Sequence, residues 1–505
     1  MGAEIELKLA TSSSGLRAAM ALPWLKEMAG ENVSREHLTS IYFDTDDLTL
    51  RENGVTLRVR KSGRQILQTI KAASAAPIER AEWEAEIDRL RPRLELAHST
   101  ALGPLLTGEL ANDLKPVFET AVQRVVMPLH IGRSEVEVAF DEGCVATADD
   151  HVEIAEIEIE LKQGDRSDVA RIARKLARNI PVTLGVRAKA EWGYALLDGT
   201  IDAPVPAAPV TIAPDATLAE AFAVVGFACL RHVAGNEFAV RRGAPEGIHQ
   251  MRVGLRRLRA ALSLFKGMLH GADRDRLKRE LKWMTKQLGP AREYNVFIAK
   301  TVEPCRAARP EWGELEALAH DLEKHCAQGL ANGRRAVDSQ RFRGLVLGCA
   351  LWLLDGEWLN TTDSLIRVMR ERPASAFVCQ ELTRRGRKII KRGRKLNQLD
   401  PKRQHKLRIA AKKVRYGRQF FKSLMLDRPR KAGRKIDCAL KNLQKALGSL
   451  NDMRVHLELA RDYARINSAA RKAFAVGYLV GGEDARSGGV LAQALNARRR
   501  LKKAA

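Results

Sequence analysis

The pentapeptide Glu-Ile-Glu-Leu-Lys occurs twice in the chain, at residues 4–8 and again at residues 158–162. Successive side chains of an extended strand alternate between its two faces, so the charged residues of each copy share one face and the aliphatic residues share the other. Carboxylates on neighbouring strands repel each other unless water or a bound cation lies between them. One copy alone is typical of a half-exposed strand, whereas the pair indicates a site for a hard divalent cation.

Charged residues fall at strand centres throughout the first 200 residues. The acidic side chains on the two repeated strands include Glu4, Glu6, Glu158 and Glu160. The basic side chains on these and the other predicted strands are Lys8, Arg58, Arg60, Lys71, Arg124, Arg187 and Lys189. A single open sheet explains the alternation but not the ionised groups, whereas a closed antiparallel tunnel with inward charged faces explains both. Its carboxylates would bind Mg²⁺ or Mn²⁺, and its Arg and Lys would bind a chain of phosphates.

Two shorter patterns predict where strands end and begin. Residues 141–143, Asp-Glu-Gly, follow an alternating strand and are typical of a hairpin turn. Arg187, Lys189 and Glu191 are spaced two residues apart. This spacing predicts a last strand whose charged face joins the others.

In their order along the chain, these motifs resemble the CYTH domain, the family of triphosphate tunnel metalloenzymes. The resemblance covers residues 1–200 and rests on Glu4-x-Glu6-x-Lys8, Leu57-Arg58-Val59-Arg60, Gln68-Thr69-Ile70-Lys71, the stretch from Glu156 to Lys162, and Lys189-Ala190-Glu191. It implies an eight-stranded antiparallel β tunnel that hydrolyses or cyclises triphosphate-containing substrates with a divalent metal.

The resemblance also implies roles for individual residues. Glu4, Glu6, Glu158 and Glu160 would hold the metal. Lys8, Arg58, Arg60, Lys71, Arg124 and Lys189 would bind the phosphates, and Arg187 joins this set because it lies in phase with Lys189. Lys8 would also orient or deprotonate the attacking water, with Glu4 and Glu6 beside it. The sequence leaves the identity of the general base open.

The net charge of +25 is unevenly distributed along the chain. Residues 1–200 hold 25 Lys and Arg against 32 Asp and Glu, whereas residues 201–505 hold 61 against 29. Between the two parts, residues 201–216 are rich in Pro and Ala and predict an extended linker. We therefore predict an α+β chain of two domains, residues 1–200 and residues 217–500.

The second part is helical by pattern and is duplicated, with repeats at about 217–365 and 366–500. Basic residues recur at helical spacing in both repeats, and each His-led helix is followed at the same offset by two lysines. The first set is His249, Arg252, Arg256, Arg259, Lys282 and Lys286, and the second is His405, Arg408, Lys412, Arg415, Lys441 and Lys445. Met251, Leu255, Leu258 and Leu262 form the opposite stripe, which we expect to be buried. The pattern predicts a four-helix bundle in each repeat.

These His-led basic helices resemble the CHAD domain, the conserved histidine α-helical domain. His232 and Asn451-Asp452 fit its pattern, whereas Glu293 and Asn295 depart from it. The resemblance implies that inorganic polyphosphate binds along a basic groove between the two bundles. Nucleic acid is a less favoured polyanion, because single-strand binders interleave aromatic residues with basic ones and this chain is 5% aromatic.

The whole chain resembles the bacterial inorganic triphosphatases that join these two domains. We therefore expect a metal-dependent hydrolase of tripolyphosphate whose helical half binds longer polyphosphate. Three alternatives stay open: a nucleoside or thiamine triphosphatase, an adenylate cyclase of the same tunnel family, and a non-catalytic polyphosphate-binding protein. The seven dispersed cysteines lack metal-ligand spacing and are typical of a cytoplasmic protein, with association with polyphosphate granules as a further possibility. The longest apolar run, residues 345–354, is too short to span a membrane.

Overall fold

The computed structural model describes residues 5–72, 81–425, 430–466 and 470–504. It divides into two compact units, one of residues 1–203 with residues 343–356, and one of residues 204–342 with residues 357–505. Glu4, a predicted metal ligand, lies outside the described residues.

The first unit contains one mixed-length antiparallel sheet. Its strands are β1 Ile5–Ala10, β2 Ser34–Asp44, β3 Val55–Ser62, β4 Gln65–Ala72, β5 Ala81–Glu86, β6 Lys115–Ile131, β7 Ser134–Ala146, β8 His151–Gln163 and β9 Thr183–Leu184. They lie in the order β5-β4-β3-β2-β6-β7-β8-β1-β9. The two pentapeptides are therefore direct neighbours, with Glu6 opposite Glu160 and Lys8 opposite Glu158.

The prediction of an antiparallel β domain followed by a helical domain is confirmed, with two differences in the sheet. The described residues form nine strands rather than eight, and the edge strands β5 and β9 are not hydrogen-bonded to each other. The ninth is a two-residue strand beside β1. The sheet is thus an open, curved one across the part of the chain that the structure describes.

Helices pack on both faces of the sheet in the first unit, and the helix that begins at Lys189 lies on the charged face, where Lys189 donates to Asp141. These helices are α1 Ser13–Met20, α2 Pro23–Ala29, α3 Thr49–Glu52, α4 Gly108–Asp113, α5 Arg166–Asn179 and α6 Lys189–Leu197. Leu57, Val59 and Ile70 are buried in one core cluster, together with Phe43 and Leu102. Burial of each such side chain contributes about 1.5–3 kcal/mol to folding, which fixes the opposite, charged face of these strands toward the interior.

Two local predictions were wrong. Residues 141–143 do not form a hairpin turn but lie within β7, and the sheet turns instead between β6 and β7 at Gly132, which has a positive φ of 60°. The strand predicted through Arg187 and Glu191 is absent, because a helix, α6, begins at Lys189.

The second unit is helical. Numbered on from the first unit, the helices of the C-terminal region are α7 Leu218–Ala234, α8 Glu237–Arg241, α9 Pro245–Leu264, α10 Ala272–Gln287, α11 Gly289–Phe297, α12 Glu303–Ala308, α13 Gly313–Asp338, α14 Gln340–Asp355, α15 Ser364–Glu371, α16 Ala374–Arg392, α17 Pro401–Phe420, α18 Arg430–Ile466 and α19 Ala470–Ala504. Most of α14 groups with the first unit.

The duplication predicted from the sequence is visible in α9 and α17. Each has 20 residues and begins with proline, a residue favoured at the first helical position because its missing N–H needs no partner there. The predicted apolar stripe of α9 is buried, with Met251 and Leu255 fully inaccessible. The repeats differ at Pro290, where the first repeat starts a new helix, whereas the second continues through α18 without a break.

One stretch of the described chain, Leu218–Arg241, is long and apolar enough to cross a membrane by length and composition. Its most apolar window is 61% buried inside the protein, as in the core helix of a soluble protein. It is therefore weak evidence for a membrane span.

Candidate functional site

Three carboxylates converge on the charged face of β7 and β8. Asp141 lies on β7, and Glu156 and Glu158 lie two residues apart on β8. One oxygen from each lies within 4.8 Å of the others. Asp141 is completely buried, and Glu156 is 5% exposed.

Three cations surround these carboxylates. The Lys8 ammonium donates hydrogen bonds to Glu158 Oε1 at 2.5 Å and to Glu156 Oε1 at 3.1 Å. The Arg124 guanidinium donates to both oxygens of Asp141, at 2.7 and 2.6 Å, and also to Glu158. We call the six residues the acid–base cluster: Lys8, Arg124, Asp141, Glu156, Glu158 and Lys189.

Lys189 completes the cluster from the first turn of α6. Its ammonium donates to Asp141 Oδ2 at 2.7 Å, to Glu158 at 3.2 Å and to Glu156. The helix is held in place by Tyr194, whose hydroxyl donates to the buried Asp44 at 2.7 Å, and by Glu191, which accepts the N–H of Ala188 at 2.8 Å.

The pKa values within the cluster follow from burial and mutual attraction. Burial alone would raise the pKa of Glu158, but Lys189, Lys8 and Arg124 hold it well below its usual value. Burial would likewise lower the pKa of Lys8, and its carboxylate neighbours raise it instead. Both shifts favour the charged forms, so Lys8 and Glu158 are ionised near neutral pH.

A second cationic region lies on β3 and β4. Arg58 donates to Thr69 at 3.0 Å, and Lys71 donates to Glu82 at 2.7 Å. Burial, together with the nearby Arg58 and Arg124, lowers the pKa of Arg60 to about 10.

The two regions face a common interior. Burial raises the pKa of Glu6. The nearby Glu158 carboxylate raises it further, whereas Lys8 and Lys71 act to lower it. Lys71 lies on β4 and Glu6 on β1, six strands apart in the sheet order. The sheet must therefore curve strongly enough to bring these strands across from each other.

Not every predicted residue joins the cluster. Glu160 pairs with Lys162 at 2.6 Å, and Arg187 donates to the Ile201 carbonyl at 2.9 Å and lies over the ring of Trp192. Glu6 lies at the edge of the cluster, 3.9 Å from the Lys8 ammonium.

Asp141 and Glu156 are candidate metal ligands that the sequence analysis does not single out. Glu156 was detectable, because it is in phase with Glu158 and Glu160 on the same strand. For Asp141 the sequence pattern predicts a turn, because Gly143 follows two residues later. In the structure Gly143 instead allows close strand approach, since a Cβ there would lie 2.0 Å from the Ala121 carbonyl oxygen.

The carboxylate set is chemically suited to a divalent metal. Mg²⁺ and Mn²⁺ prefer oxygen ligands, and Asp141, Glu156 and Glu158 present such oxygens at mutual distances that one ion could bridge. The adjacent cations provide donors for anionic groups bound to such an ion.

In the helical unit, basic side chains from the two repeats meet between α9 and α17. Burial, Arg408 and Arg256 lower the pKa of Lys412 to about 7. Burial and Arg256 lower the pKa of Arg252 to about 10. We call Arg252, Arg256, Arg408 and Lys412 the basic groove.

The groove is only partly neutralised. Burial lowers the pKa of Arg252 and of Arg408, and one carboxylate in each repeat acts to raise it. Glu293 acts on Arg252, and Asp452 acts on Arg408. The Nε atoms of Arg252, Arg256 and Arg408 are buried and have no hydrogen-bond partner among the described residues. Unpaired buried donors are costly, so the groove is suited to an anion with many acceptor oxygens.

The two histidines that lead the basic helices have different surroundings. Burial and Arg292 lower the pKa of His249 to about 4, so it is neutral. His405 makes a 2.9 Å hydrogen bond to Asn451. The remaining predicted ligands lie further out: Arg415 donates to Gln444 at 3.0 Å, and the exposed residues are Arg259, Lys282, Lys286, Lys441 and Lys445.

Comparisons with known families match both halves of the chain. The CYTH domain family matches residues 2–187 and the CHAD domain family matches residues 226–461. The inorganic triphosphatase of Haemophilus influenzae is 27% identical over 196 residues, which are 38% of this chain and 54% of that protein. The chain thus spans about half the length of this curated relative.

One solved structure is similar to the helical half of the chain, and another is similar to a shorter part of the chain. The CHAD domain from the plant Ricinus communis is 29% identical, with a TM-score of 0.51, over 59% of this chain and 96% of that one. A putative adenylyl cyclase from Hippeastrum, described as having a dominant triphosphatase activity, is 16% identical over 39% of this chain and 96% of that one, with a TM-score of 0.29.

Proposed function

Because the chain consists of a CYTH domain followed by a CHAD domain, we propose that it is a cytoplasmic, metal-dependent inorganic triphosphatase that hydrolyses tripolyphosphate and whose helical domain binds longer polyphosphate. The observation that carries the proposal is the acid–base cluster, in which the buried Asp141 and Glu156 and the partly buried Glu158 interleave with three cations. The related inorganic triphosphatase of Haemophilus influenzae supports a phosphoanhydride as the bond that is cleaved.

Metal and substrate would divide the cluster between them. Asp141, Glu156 and Glu158 would hold Mg²⁺ or Mn²⁺, which when bound neutralises charge on phosphate oxygens. Lys8, Arg124 and Lys189 would then turn from the carboxylates to the phosphates, whose oxygens also accept charge-assisted hydrogen bonds. The predicted ligands Glu4, Glu6 and Glu160 would extend the acidic set toward the interior.

Catalysis would rest on positioning and charge stabilisation, as is general for phosphoryl transfer. Arg58, Arg60 and Lys71 on β3 and β4 would hold the distal phosphates. Lys8 would orient the attacking water beside the terminal phosphorus. The bond between that phosphorus and the bridging oxygen would break, so pyrophosphate would be the leaving group and orthophosphate the other product. In this arrangement the substrate is recognised through its phosphates.

The helical domain would bind polyphosphate along the basic groove. Phosphate oxygens would satisfy the buried Nε donors of Arg252, Arg256 and Arg408 and reduce the repulsion among four neighbouring cations.

The first test is phosphate release by the purified protein with Mg²⁺ or Mn²⁺ from tripolyphosphate, ATP, thiamine triphosphate and long-chain polyphosphate at equal concentration. We expect preference for tripolyphosphate.

Glu158→Gln should lower kcat by about 10²-fold or more, the scale of losing one preorganised charge contact, while polyphosphate binding persists. Arg252→Glu with Arg408→Glu should abolish polyphosphate binding and leave tripolyphosphate hydrolysis unchanged. Absence of release from every substrate would disprove the enzyme proposal.

A further inference from the structure

A second basic surface lies away from the groove, where the C-terminal ends of α16 and α19 meet. Its concave face is lined by Arg387, Lys391 and Arg392 of α16, by Arg394 and Lys395 of the following loop, and by Arg498 and Lys502 of α19. We call this surface the C-terminal patch. Seven of its eight lining residues are Lys or Arg, and the other is Ile390.

The two chain segments that form the patch carry basic residues without acidic ones. Residues 382–399 contain eight Lys and Arg but no Asp or Glu. Residues 485–505 contain six Lys and Arg and again no Asp or Glu. Among the described residues, no carboxylate forms an ion pair with any of the seven basic lining residues. Helix C-termini favour cations, but each contributes only about half a negative charge. The two helix ends together therefore offset about one of seven positive charges.

One of these cations is held in a fixed position. Arg498 donates two hydrogen bonds, through Nε and Nη2, to the Ile390 carbonyl oxygen at 3.2 and 3.1 Å. It thereby links α19 to the last turn of α16. A Cβ on Gly393 would lie 3.3 Å from the Arg498 Cγ, so the loop packs closely over this side chain and presents Arg394 and Lys395 beside it.

A hydrophobic core separates the patch from the basic groove. Leu407, which is rotated about 100° from Arg408 and about 140° from Lys412 around α17, is buried in one cluster with Ile389, Leu396 and Leu501. Ile389 and Leu396 flank the patch residues of α16 and its loop, and Leu501 precedes Lys502. A ligand in the groove and a ligand on the patch are therefore bound on opposite sides of the second repeat's core.

We propose that the C-terminal patch binds a second segment of polyphosphate, so that one chain holds a long polyphosphate at two places. This inference rests on the proposed polyphosphate binding by the groove. The patch has no aromatic lining residue on which a nucleobase could stack, which favours a bare phosphate chain over single-stranded nucleic acid. Two tethered sites raise the affinity for a ligand long enough to reach both.

The test measures binding of long-chain and short-chain polyphosphate to the full-length protein in EDTA, which prevents hydrolysis. The patch variant carries Arg387→Glu, Lys391→Glu and Arg394→Glu. A control variant with the same charge change carries Lys324→Glu, Arg334→Glu and Arg367→Glu, exposed residues that line neither site. A milder variant, Arg394→Gln with Lys395→Gln, changes only the loop and serves if the triple variant does not fold.

We expect the patch variant to bind long polyphosphate at least about tenfold more weakly than the control variant, because it loses the second attachment. Its affinity for short chains should match that of the control. Equal affinity of the patch and control variants for long chains would overturn the inference alone. Duplex DNA that displaces long polyphosphate at equal phosphate concentration would overturn it too. Failure of the wild-type chain to bind any polyphosphate would instead refute the proposed function of the groove.

Discussion

Asp141 has a central place in the acid–base cluster because it is the most deeply buried of the three carboxylates. It accepts two hydrogen bonds from Arg124 and one from Lys189. An isosteric amide at this position would keep the shape of the side chain but leave two buried cations short of one negative charge. Removing one partner of such a pair costs more free energy than the intact pair contributes to stability, because the remaining charge is left without its counter-charge.

We therefore expect Asp141→Asn to lower the free energy of unfolding by on the order of 3 kcal/mol and to abolish metal-dependent hydrolysis. Burial would raise the pKa of Asp141, but Lys189 and Arg124 hold it below its usual value. The ionised Asp141 therefore stabilises the fold at pH values above its pKa in the unfolded chain. This stabilisation is lost as the pH falls through its lower pKa in the folded protein. Urea unfolding of both proteins at neutral and acidic pH measures the difference, which should shrink on acidification. Asp113→Asn, on an exposed residue of α4, is the control, and an equal loss in that variant would contradict the assignment.

Lys412 gives the basic groove a pH dependence. Burial and the neighbouring Arg408 and Arg256 bring its pKa to about 7. A bound polyanion favours the protonated form, so Lys412 contributes to binding at low pH and the contribution is lost as pH rises above its pKa.

Polyphosphate affinity should therefore fall between about pH 6 and about pH 9 in the wild-type protein. Lys412→Arg keeps a cation at every pH in this range, because the arginine pKa is above about 12. The ratio of the two affinities, measured by titration in EDTA, cancels the titration of the ligand itself. A ratio that does not change with pH would show that Lys412 stays charged throughout.

At the scale of secondary-structure elements, α6 determines whether Lys189 reaches the cluster. Gly193 lies against Phe118, where a Cβ would be 2.2 Å from the ring, and Tyr194 bonds to Asp44. Burial and Asp44 raise the pKa of Tyr194, so its hydroxyl remains a donor. Gly193 and Tyr194 thus fix the position of α6 about one turn after Lys189.

Tyr194→Phe should lower the free energy of unfolding by about 1.5–3 kcal/mol, the value of a hydrogen bond to a charged group. It should also lower kcat for tripolyphosphate, because Lys189 would no longer be fixed against the carboxylates. Tyr478→Phe, on a half-exposed tyrosine of α19, is the matched control. A stability loss with unchanged kcat would mean that Tyr194 has a purely structural role.

The sequence predicted the strands well because period-two alternation leaves a strong signal in β1, β3, β4 and β8. It failed at α6, where Lys189 and Glu191 also alternate but Glu191 instead accepts the Ala188 N–H at the start of a helix. It also failed at β7, because a glycine required by close strand approach is indistinguishable, in one sequence, from a glycine required by a turn. The first failure concerns a local contact at a helix start, which competes with a strand of the same spacing, and the second concerns a contact between strands that are distant in the sequence, which a local pattern does not contain.

At the scale of the whole molecule, the two halves carry opposite net charge, with an acidic excess over residues 1–200 and a large basic excess beyond. The functional charges also differ in exposure. The side chains of Lys8, Arg124 and Lys189 are 10–16% exposed, whereas Lys282, Lys441 and the α16 part of the C-terminal patch are exposed to solvent. Salt screens exposed charges far more than buried ones.

Salt should therefore separate the two activities. Raising the ionic strength from about 0.05 M to about 0.5 M shortens the Debye length from above about 10 Å to a few Å, so the affinity for long polyphosphate should fall steeply. The KM for tripolyphosphate should rise much less, because its contacts lie in the interior. Steady-state kinetics and equilibrium binding on the same protein, with a non-binding salt such as potassium chloride and a constant free metal concentration, make the comparison. Parallel salt dependence of the two quantities would indicate that both ligands are held by the same exposed charges.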